Sequence, residues 1–403
     1  MTNCNFDKKI TIFTFKYPPA IYGSGILAKF LKKELEGKFK LDIYSTQSLL
    51  IENHYNNLET KNKALRATNE ESVIYLETIK NKKHLLYRGL RLIFKGLDKL
   101  FKFQLVELLE MGPLVFDKRY FSLFFSPKPS SIIILPLGNF FNLSVYLYSF
   151  IRRIPFSLIP CFHPGADDFE LKFNWFLLKR AQKIFVLSNI EKKYFIKRGI
   201  EAKKIFLWFV KLNPENYQKK SRLPKLTLPK THKAIIFLCL GRMDKYKRIG
   251  KIIKAFNKAL KETENIFLII AGQETTYSKK IISMLKNNLP KNKYFYLGRV
   301  SDSERNYLLS KSDVVVNLSQ FESLSIVVLE AWAMKKMVVV SHNKVFKERV
   351  KNSKNGLICK NLSNDLYRKI IWLSQNREKI KNMGEAGYKS LSEEIETPIQ
   401  DLI

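Results

Sequence analysis

The stretch that most constrains this chain is residues 313–341, DVVVNLSQFESLSIVVLEAWAMKKMVVVS. Two β-branched runs, residues 314–318 and 337–341, have the length and composition of buried parallel strands. Between them, residues 326–334 read as a helix whose Ala, Leu, Trp and Met side chains pack inward. The loop ahead of that helix carries Ser319, Gln320, Glu322, Ser323 and Ser325. A strand, a polar loop and a helix place the helix N-terminus at the carboxyl end of a parallel sheet, where open α/β sheets bind ligands. Backbone N–H groups at such a helix start accept phosphate charge. Glu330 follows Glu322 by eight residues, just over two helical turns if the helix starts near Ser323. Two turns rise about 11 Å, so these carboxylates cannot share one atom but can hold two parts of one long ligand.

At 403 residues the chain has room for two α/β domains of ordinary size. A hydrophobic content of 46% with modest Gly and Pro excludes a disordered protein. The formal charge of +35 favours a polyanionic partner: nucleic acid, an anionic membrane surface or a phosphorylated substrate. Cys4, Cys161, Cys239 and Cys359 are scattered through mostly apolar runs, which favours buried free thiols over a disulfide framework or metal site, and hence a reducing compartment. The first nine residues, MTNCNFDKK, lack an apolar signal core, and no run of 18 apolar residues occurs. Residues 132–151 come nearest, but Pro136, Gly138, Asn139 and Asn142 break them into a strand, a turn and a helix.

Taken in order, residues 9–15 alternate as a first strand. A loop through Pro18, Pro19, Gly23, Ser24 and Gly25 leads to an amphipathic helix at 26–35, then a strand at 41–45. Glycines in such a loop admit a ligand to the backbone or simply form a turn, and the full dinucleotide fingerprint is absent. Residues 53–68 are polar and read as loop. Residues 80–106 form a basic amphipathic segment. Arg88, Arg91, Lys95, Lys99 and Lys102 recur at helical steps, and Leu86, Leu90, Ile93, Leu97, Leu100 and Phe101 take the other face. Such a helix either packs its leucines on the sheet or lies against anionic lipid. A strand at 155–160 ends near His163, on the ligand side of the sheet, where a lone His is either structural or catalytic. Asp167 and Asp168 lack the D-x-D spacing of a metal–diphosphate site. Helix 175–183, strand 184–188, helix 189–198 and strand 205–210 complete a first domain, residues 1–212.

Residues 213–233, rich in Lys and Pro, read as an interdomain linker. A second domain, residues 234–391, opens with the buried strand 234–240. It breaks at Gly241-Arg242-Met243-Asp244-Lys245-Tyr246-Lys247 before helix 249–260. Gly241 frees the backbone there. Arg242 offers a flat fork for two phosphate oxygens, and Lys247 a point charge. Strands at 266–271, 294–297 and 356–359 and helices at 362–374 and 378–391 continue the alternation. The tail, residues 392–403, is expected to return to the first domain.

The Gly241-Arg242-Met243…Lys247 loop, Ile269-Ile270-Ala271-Gly272, Leu297-Gly298-Arg299-Val300, Ser312-Asp313, and Phe321-Glu322…Leu329-Glu330-Ala331 follow one another in that order. Together they resemble the C-terminal half of the family 4 (group 1) retaining glycosyltransferases. Pro18-Pro19…Gly23-Ser24-Gly25 and residues 181–188 fit the same family more loosely. The resemblance implies the GT-B fold, two Rossmann-like domains facing each other across a cleft. It implies that Arg242 and Lys247 bind the donor diphosphate, Glu330 the ribose hydroxyls and Glu322 hydroxyls of the transferred sugar. Gly241 and the segment Ser323-Leu324-Ser325 would adjoin the donor, Gly23 and Gly25 would lie against it, and His163 matches an N-domain His beside the sugar. Two departures stand out. Ser323 and Ser325 replace the glycines usually flanking the first Glu, which bears on donor fit. Lys335-Lys336-Met337 replaces the usual Gly-x-Pro, which bears on the turn.

The implied reaction moves a hexose-like sugar from a nucleotide sugar, a substrate rather than a cofactor, to an acceptor hydroxyl. Positive charge builds at the anomeric carbon and negative charge on the leaving diphosphate, and fixed cations there serve without a metal. The charge and residues 80–106 point to a lipid-linked or membrane-proximal glycan acceptor at the cytoplasmic face. Rival readings are a GT-B sugar-nucleotide epimerase, an inactive scaffold, and a nucleic-acid-directed protein, the last without any recognised nucleic-acid motif.

Overall fold

The computed structural model describes residues 8–18, 23–46, 73–79, 84–112, 114–163, 170–210, 212, 215–218, 234–392 and 399. Asp167, Asp168, Cys4, Pro19 and the polar stretch at 53–68 lie outside them. The chain divides into two compact units, residues 1–210 with 396–403, and residues 211–395.

The first unit runs β1 (Lys9–Thr14), α1 (Gly23–Leu35), β2 (Lys40–Thr46), β3 (Val73–Leu76), β4 (Thr78–Ile79), α2 (Leu85–Phe101), α3 (Leu105–Glu110), β5 (Leu114–Val115) and α4 (Lys118–Ser122). It continues through β6 (Ser131–Leu135), α5 (Phe141–Arg152), β7 (Phe156–Leu158), α6 (Lys172–Arg180), β8 (Lys183–Val186), α7 (Asn189–Lys197) and β9 (Ile205–Leu207). Seven strands form a parallel sheet in the order β3-β2-β1-β6-β7-β8-β9. The central strand β6 is an almost unbroken apolar run because helices cover both faces of such a sheet. Ile132, Ile133, Ile134 and Leu135 of β6 are fully buried. Ile399 belongs to this unit: its N–H reaches Glu34 Oε1 at 2.9 Å, and Trp208 Nε1 donates to the other oxygen at 3.0 Å.

Three expectations change here. The first helix starts at Gly23, so Gly23-Ser24-Gly25 is its first turn rather than a preceding loop. Residues 80–106 are not one helix. Lys102 and Gln104 both adopt left-handed backbone, and α3 starts anew at Leu105. The leucine face of α2 is not all core either. Tyr87 and Phe94 are buried with Leu90 and Leu97 packed beside them, while Leu86, Ile93, Leu100 and Phe101 are exposed.

The second unit runs α8 (Glu215–Gln218), β10 (Ile235–Leu240), α9 (Ile249–Ala259), β11 (Ile266–Ala271), α10 (Ser278–Asn288), β12 (Tyr294–Gly298), α11 (Asp302–Lys311) and β13 (Val314–Asn317). Then come α12 (Ile326–Ala333), β14 (Met337–Ser341), α13 (Lys344–Arg349), β15 (Leu357–Cys359), α14 (Leu362–Gln375) and α15 (Arg377–Ser392). Its parallel sheet has the order β12-β11-β10-β13-β14-β15. Every residue of β10, β11, β13 and β14 is buried. Strand order reverses between β10 and β13, whose register pairs Phe237 with Val314 and Leu238 with Val315. A parallel sheet leaves a crevice outside the carboxyl ends of its strands at such a reversal. In the first unit the reversal lies between β1 and β6.

The stretch at 213–233 is not wholly extended linker, since α8 lies within it and Tyr217 is buried. No helix among the described residues is long and apolar enough to cross a membrane.

Candidate active site

The loops leaving β10 and β13 meet at the reversal point of the second sheet. After Leu240 the chain turns at Gly241 with φ +148°, a left-handed value that favours glycine. Gly272, at the end of β11, is required sterically: a Cβ there would stand 1.9 Å from the Gly241 carbonyl oxygen. The loop is laced to its neighbour, Gly241 N–H donating to Ala271 O at 3.1 Å and Met243 N–H to Gln273 O at 2.9 Å. Asp244, buried, organises the rest. Its Oδ1 accepts from the N–H groups of Tyr246 (2.9 Å) and Lys247 (3.0 Å), closing a 3-10 turn at Lys245–Lys247. Its Oδ2 meets Arg242 Nη2 at 3.3 Å. Arg242 and Lys247 are therefore both positioned by one carboxylate.

The turn delivers the Lys247 ammonium to Glu322, Nζ to Oε1 at 2.7 Å. Seventy-five residues apart in sequence, these two side chains form an ion pair, three-quarters buried on the Lys side and 10% exposed on the Glu side. Asn317, the last residue of β13, was not singled out in the sequence, yet it is the hub of the second loop. Its amide donates to Glu322 Oε1 (3.3 Å) and Ser325 Oγ (3.1 Å), and its carbonyl oxygen accepts from Ser319 N–H (3.1 Å) and Oγ (2.6 Å). Gln320 N–H reaches Tyr246 O at 2.9 Å, and the Tyr246 and Phe321 rings lie 5.5 Å apart, joining the two loops.

Helix α12 begins at Ile326, not near Ser323, so Glu330 lies little more than one turn inside it. Ser325 precedes it at φ 62°, and Lys335 follows at φ 57°. Of the three positions where glycine would be usual, Ser325 and Lys335 thus keep a left-handed backbone while carrying a side chain, and Ser323 does not. Ser323 and Leu324 complete the loop, Leu324 being buried.

Glu330, only 2% exposed, meets Arg305 Nη2 of α11 at 3.2 Å and the Tyr217 hydroxyl at 3.5 Å. Arg305 also pairs with Asp302 at 3.1 Å. Burial raises the Glu330 carboxyl above the ordinary range, and the Arg305 charge opposes that rise. Arg305 and Tyr217 were legible neither by motif nor by spacing. Gln273, just past Gly272, is a further candidate: it is buried and its Oε1 has no hydrogen-bond partner among the described residues.

In the first unit, Gly23 opens α1 with open space at its Cβ position, and Gly25 is buried. His163 follows β7, two residues after Cys161, which is buried in a left-handed conformation. The loop before His163 is held by Glu191. Its Oε1 accepts from Phe162 N–H at 3.0 Å and its Oε2 from Leu187 N–H at 2.9 Å. Glu191 is fully buried, and burial pushes its carboxyl up to about 8 against the pull of those two bonds. The structure thus unites Lys247, Glu322, Gly241, Arg242 and Ser325, seats Glu330 on the adjoining helix with Arg305, and leaves Gly23, Gly25 and His163 in the other unit.

The model of the family described as glycosyl transferases group 1 matches residues 225–390. Those residues are similar to the group 1 glycosyl transferase domain. Among curated proteins, the chain is 25% identical over 162 residues to N-acetyl-alpha-D-glucosaminyl L-malate synthase of Bacillus anthracis, covering 40% of this chain and 41% of that protein. It is 26% identical over 197 residues to the O-antigen chain mannosyltransferase RfbU of Salmonella typhimurium, covering 48% and 52%. The matched part therefore spans about half or less of these relatives. The crystal structure of Anabaena Alr3699/HepE in complex with UDP and glucose superposes with a TM-score of 0.67 at 15% identity, over 96% of this chain and 95% of that one. At that identity the likeness shows the fold, which is GT-B.

Proposed function

We propose that the protein is a retaining glycosyltransferase that moves a sugar from a nucleotide-sugar donor to an acceptor hydroxyl on a lipid-linked or membrane-proximal glycan. The observation that carries this reading is the Lys247–Glu322 pair beside Arg242, outside the carboxyl ends of β10 and β13. Two cations oriented by Asp244, with Glu322 beside them at a sheet's reversal point, suit a ligand that is anionic at one part and hydroxylated at another. The names of the relatives, and the UDP and glucose bound in the Anabaena structure, support a nucleotide sugar as that ligand.

In the reaction, the bond between the anomeric carbon and the diphosphate oxygen breaks and a bond to the acceptor oxygen forms. The acceptor proton departs with the leaving diphosphate or to solvent. The carbon gains positive character while the diphosphate gains negative charge. Arg242 presents a bidentate fork and Lys247 a point charge to that diphosphate, stabilising charge that is largest in the transition state. Glu322, shared between Lys247 and Asn317, accepts hydrogen bonds from sugar hydroxyls, and the amides of Ser323 to Ser325 lie beside it. Glu330, held by Arg305, accepts from the ribose hydroxyls. Gly23, Gly25 and His163 are retained as candidates on the first unit, with His163 set by the Glu191-braced loop.

The test is a panel of nucleotide sugars labelled in the sugar, with product analysis in the presence of chelator. Transfer or slow donor hydrolysis, lost in Arg242→Ala, supports the reading. Label returned as an epimerised donor points to the epimerase, and no turnover with any donor points to an inactive scaffold.

A further inference from the structure

Helix α2 has three faces rather than two. Tyr87, Leu90, Phe94 and Leu97 recur at three- and four-residue steps and pack on the core. At 100° per residue, Arg88, Arg91, Lys95 and Lys99 fall on one flank, all exposed. The remaining sector carries Leu85, Leu92, Ile93 and Leu100, exposed by 82%, 71%, 59% and 75%. Gly89 and Gly96 fall in the middle of that sector with open space where a Cβ would be. The helix contains one acid, Asp98, and both of its oxygens are engaged, accepting from Leu105 N–H at 2.8 Å and Val106 N–H at 2.9 Å.

A chain of aromatic rings leads on from the C-terminal end of the helix, where Phe101 falls on the side of Leu97 rather than among Leu85, Leu92 and Leu100. Exposed Phe101 lies 6.2 Å from Phe103, which contacts Phe176 at 5.7 Å; Phe176 contacts Tyr146 at 5.2 Å, and Tyr146 contacts exposed Phe150 of α5 at 6.1 Å. Cations border this end too. Arg180 lies over the Phe176 ring at 5.2 Å, and Arg153 is exposed just after α5. Scattered exposed leucines need no explanation, but an exposed apolar helix sector flanked by a row of cations marks a binding surface.

We propose that this sector of α2 docks the protein on an anionic phospholipid surface. Leu85, Leu92, Ile93 and Leu100 enter the acyl boundary while Arg88, Arg91, Lys95 and Lys99 lie level with the headgroups. Charge decides the occupant. A second copy of the chain would set the same basic row near its twin in a protein of net charge +35. Nucleic acid would satisfy the arginines and lysines but leave the leucines in water. Anionic lipid satisfies both at once. The inference deepens the membrane-proximal part of the proposed function and rests on that reading only for what the docked protein would glycosylate.

The experiment is flotation of the full chain with vesicles of phosphatidylcholine alone or with phosphatidylglycerol, without donor or acceptor. Flotation with anionic vesicles only is expected, weakened by salt and reduced roughly tenfold or more by L92D with L100D. The K95A and K99A pair should lose most of the phosphatidylglycerol dependence. Donor hydrolysis, where wild type shows it, should persist in L92D with L100D, because these residues lie outside the donor site; failure of docking and failure of the transferase reading are thus separable. Should the double variant not fold, L92W decides: its difference emission should shift to the blue when anionic vesicles are added. The proposal is overturned by no flotation, by flotation that L92D with L100D leaves intact, by self-association that those substitutions abolish, or by an L92W spectrum already blue-shifted without lipid.

Discussion

Replacing Lys247 by Met removes the ammonium that lies 2.7 Å from Glu322 while keeping most of the side-chain volume. At that distance and an effective dielectric near 20, the bare attraction is about 6 kcal/mol. Desolvation of two largely buried groups takes back most of it. A charge-assisted hydrogen bond of this kind contributes about 2 kcal/mol net. Stability should therefore fall by roughly 2 kcal/mol in Lys247→Met, because Glu322 loses its charged partner and keeps the longer bond from the Asn317 amide at 3.3 Å. Glu322→Gln should cost a comparable amount, and the double variant should be less destabilised than the sum, giving a coupling of about 2 kcal/mol in urea unfolding. For transfer, losing one fixed cation at the leaving group should lower kcat/KM by about two orders of magnitude, or ~3 kcal/mol. A coupling below about 0.5 kcal/mol would refute the ion pair, and undiminished transfer in Lys247→Met would remove that residue from the donor site.

Glu330→Ala strands the mostly buried Arg305 guanidinium with exposed Asp302 as its one counter-charge among the described residues, and should cost about 3 kcal/mol in urea unfolding; a loss under 1 kcal/mol contradicts the pairing. Glu191 binds its proton more tightly folded than unfolded, so its contribution is present below pH 4.5 and is lost as pH rises through about 8. Thermal midpoints should fall across that window in wild type and flatten in Glu191→Gln; parallel profiles contradict the assignment. Ser325→Gly relieves left-handed strain of about 1 kcal/mol but loses the 3.1 Å bond from Asn317, which contributes about the same. Net stability should stay within about 1 kcal/mol of wild type, and a larger change either way shows that one effect has been misjudged.

The second sheet was readable because buried parallel strands are written as unbroken β-branched runs, as in residues 314–317 and 337–341, and because glycine marks their exits at Gly241, Gly272 and Gly298. The first unit was less so. The break between α2 and α3 carries no Gly or Pro. Its left-handed residues are Lys102 and Gln104, and the cap of α3 comes from Asp98, seven residues upstream in another helix, where local capping rules do not look. The same blindness hid the site's partners. Arg305 sits among charged residues of α11 and reads as solvated surface until the fold brings it to Glu330. Ile93 and Leu100 show the converse, since apolar periodicity marks a face without saying what covers it.

The central claim is that Arg242, Lys247, Glu322 and Glu330 together form a sugar-diphosphate site. Calorimetric titration of wild type and Arg242→Ala with a panel of nucleoside diphosphates and their sugar derivatives tests it most directly. The account predicts saturable binding of at least one nucleotide to wild type, weakened roughly a hundredfold in Arg242→Ala by loss of about 3 kcal/mol. Equal affinity in the two proteins, or no binding by any nucleotide, would contradict it.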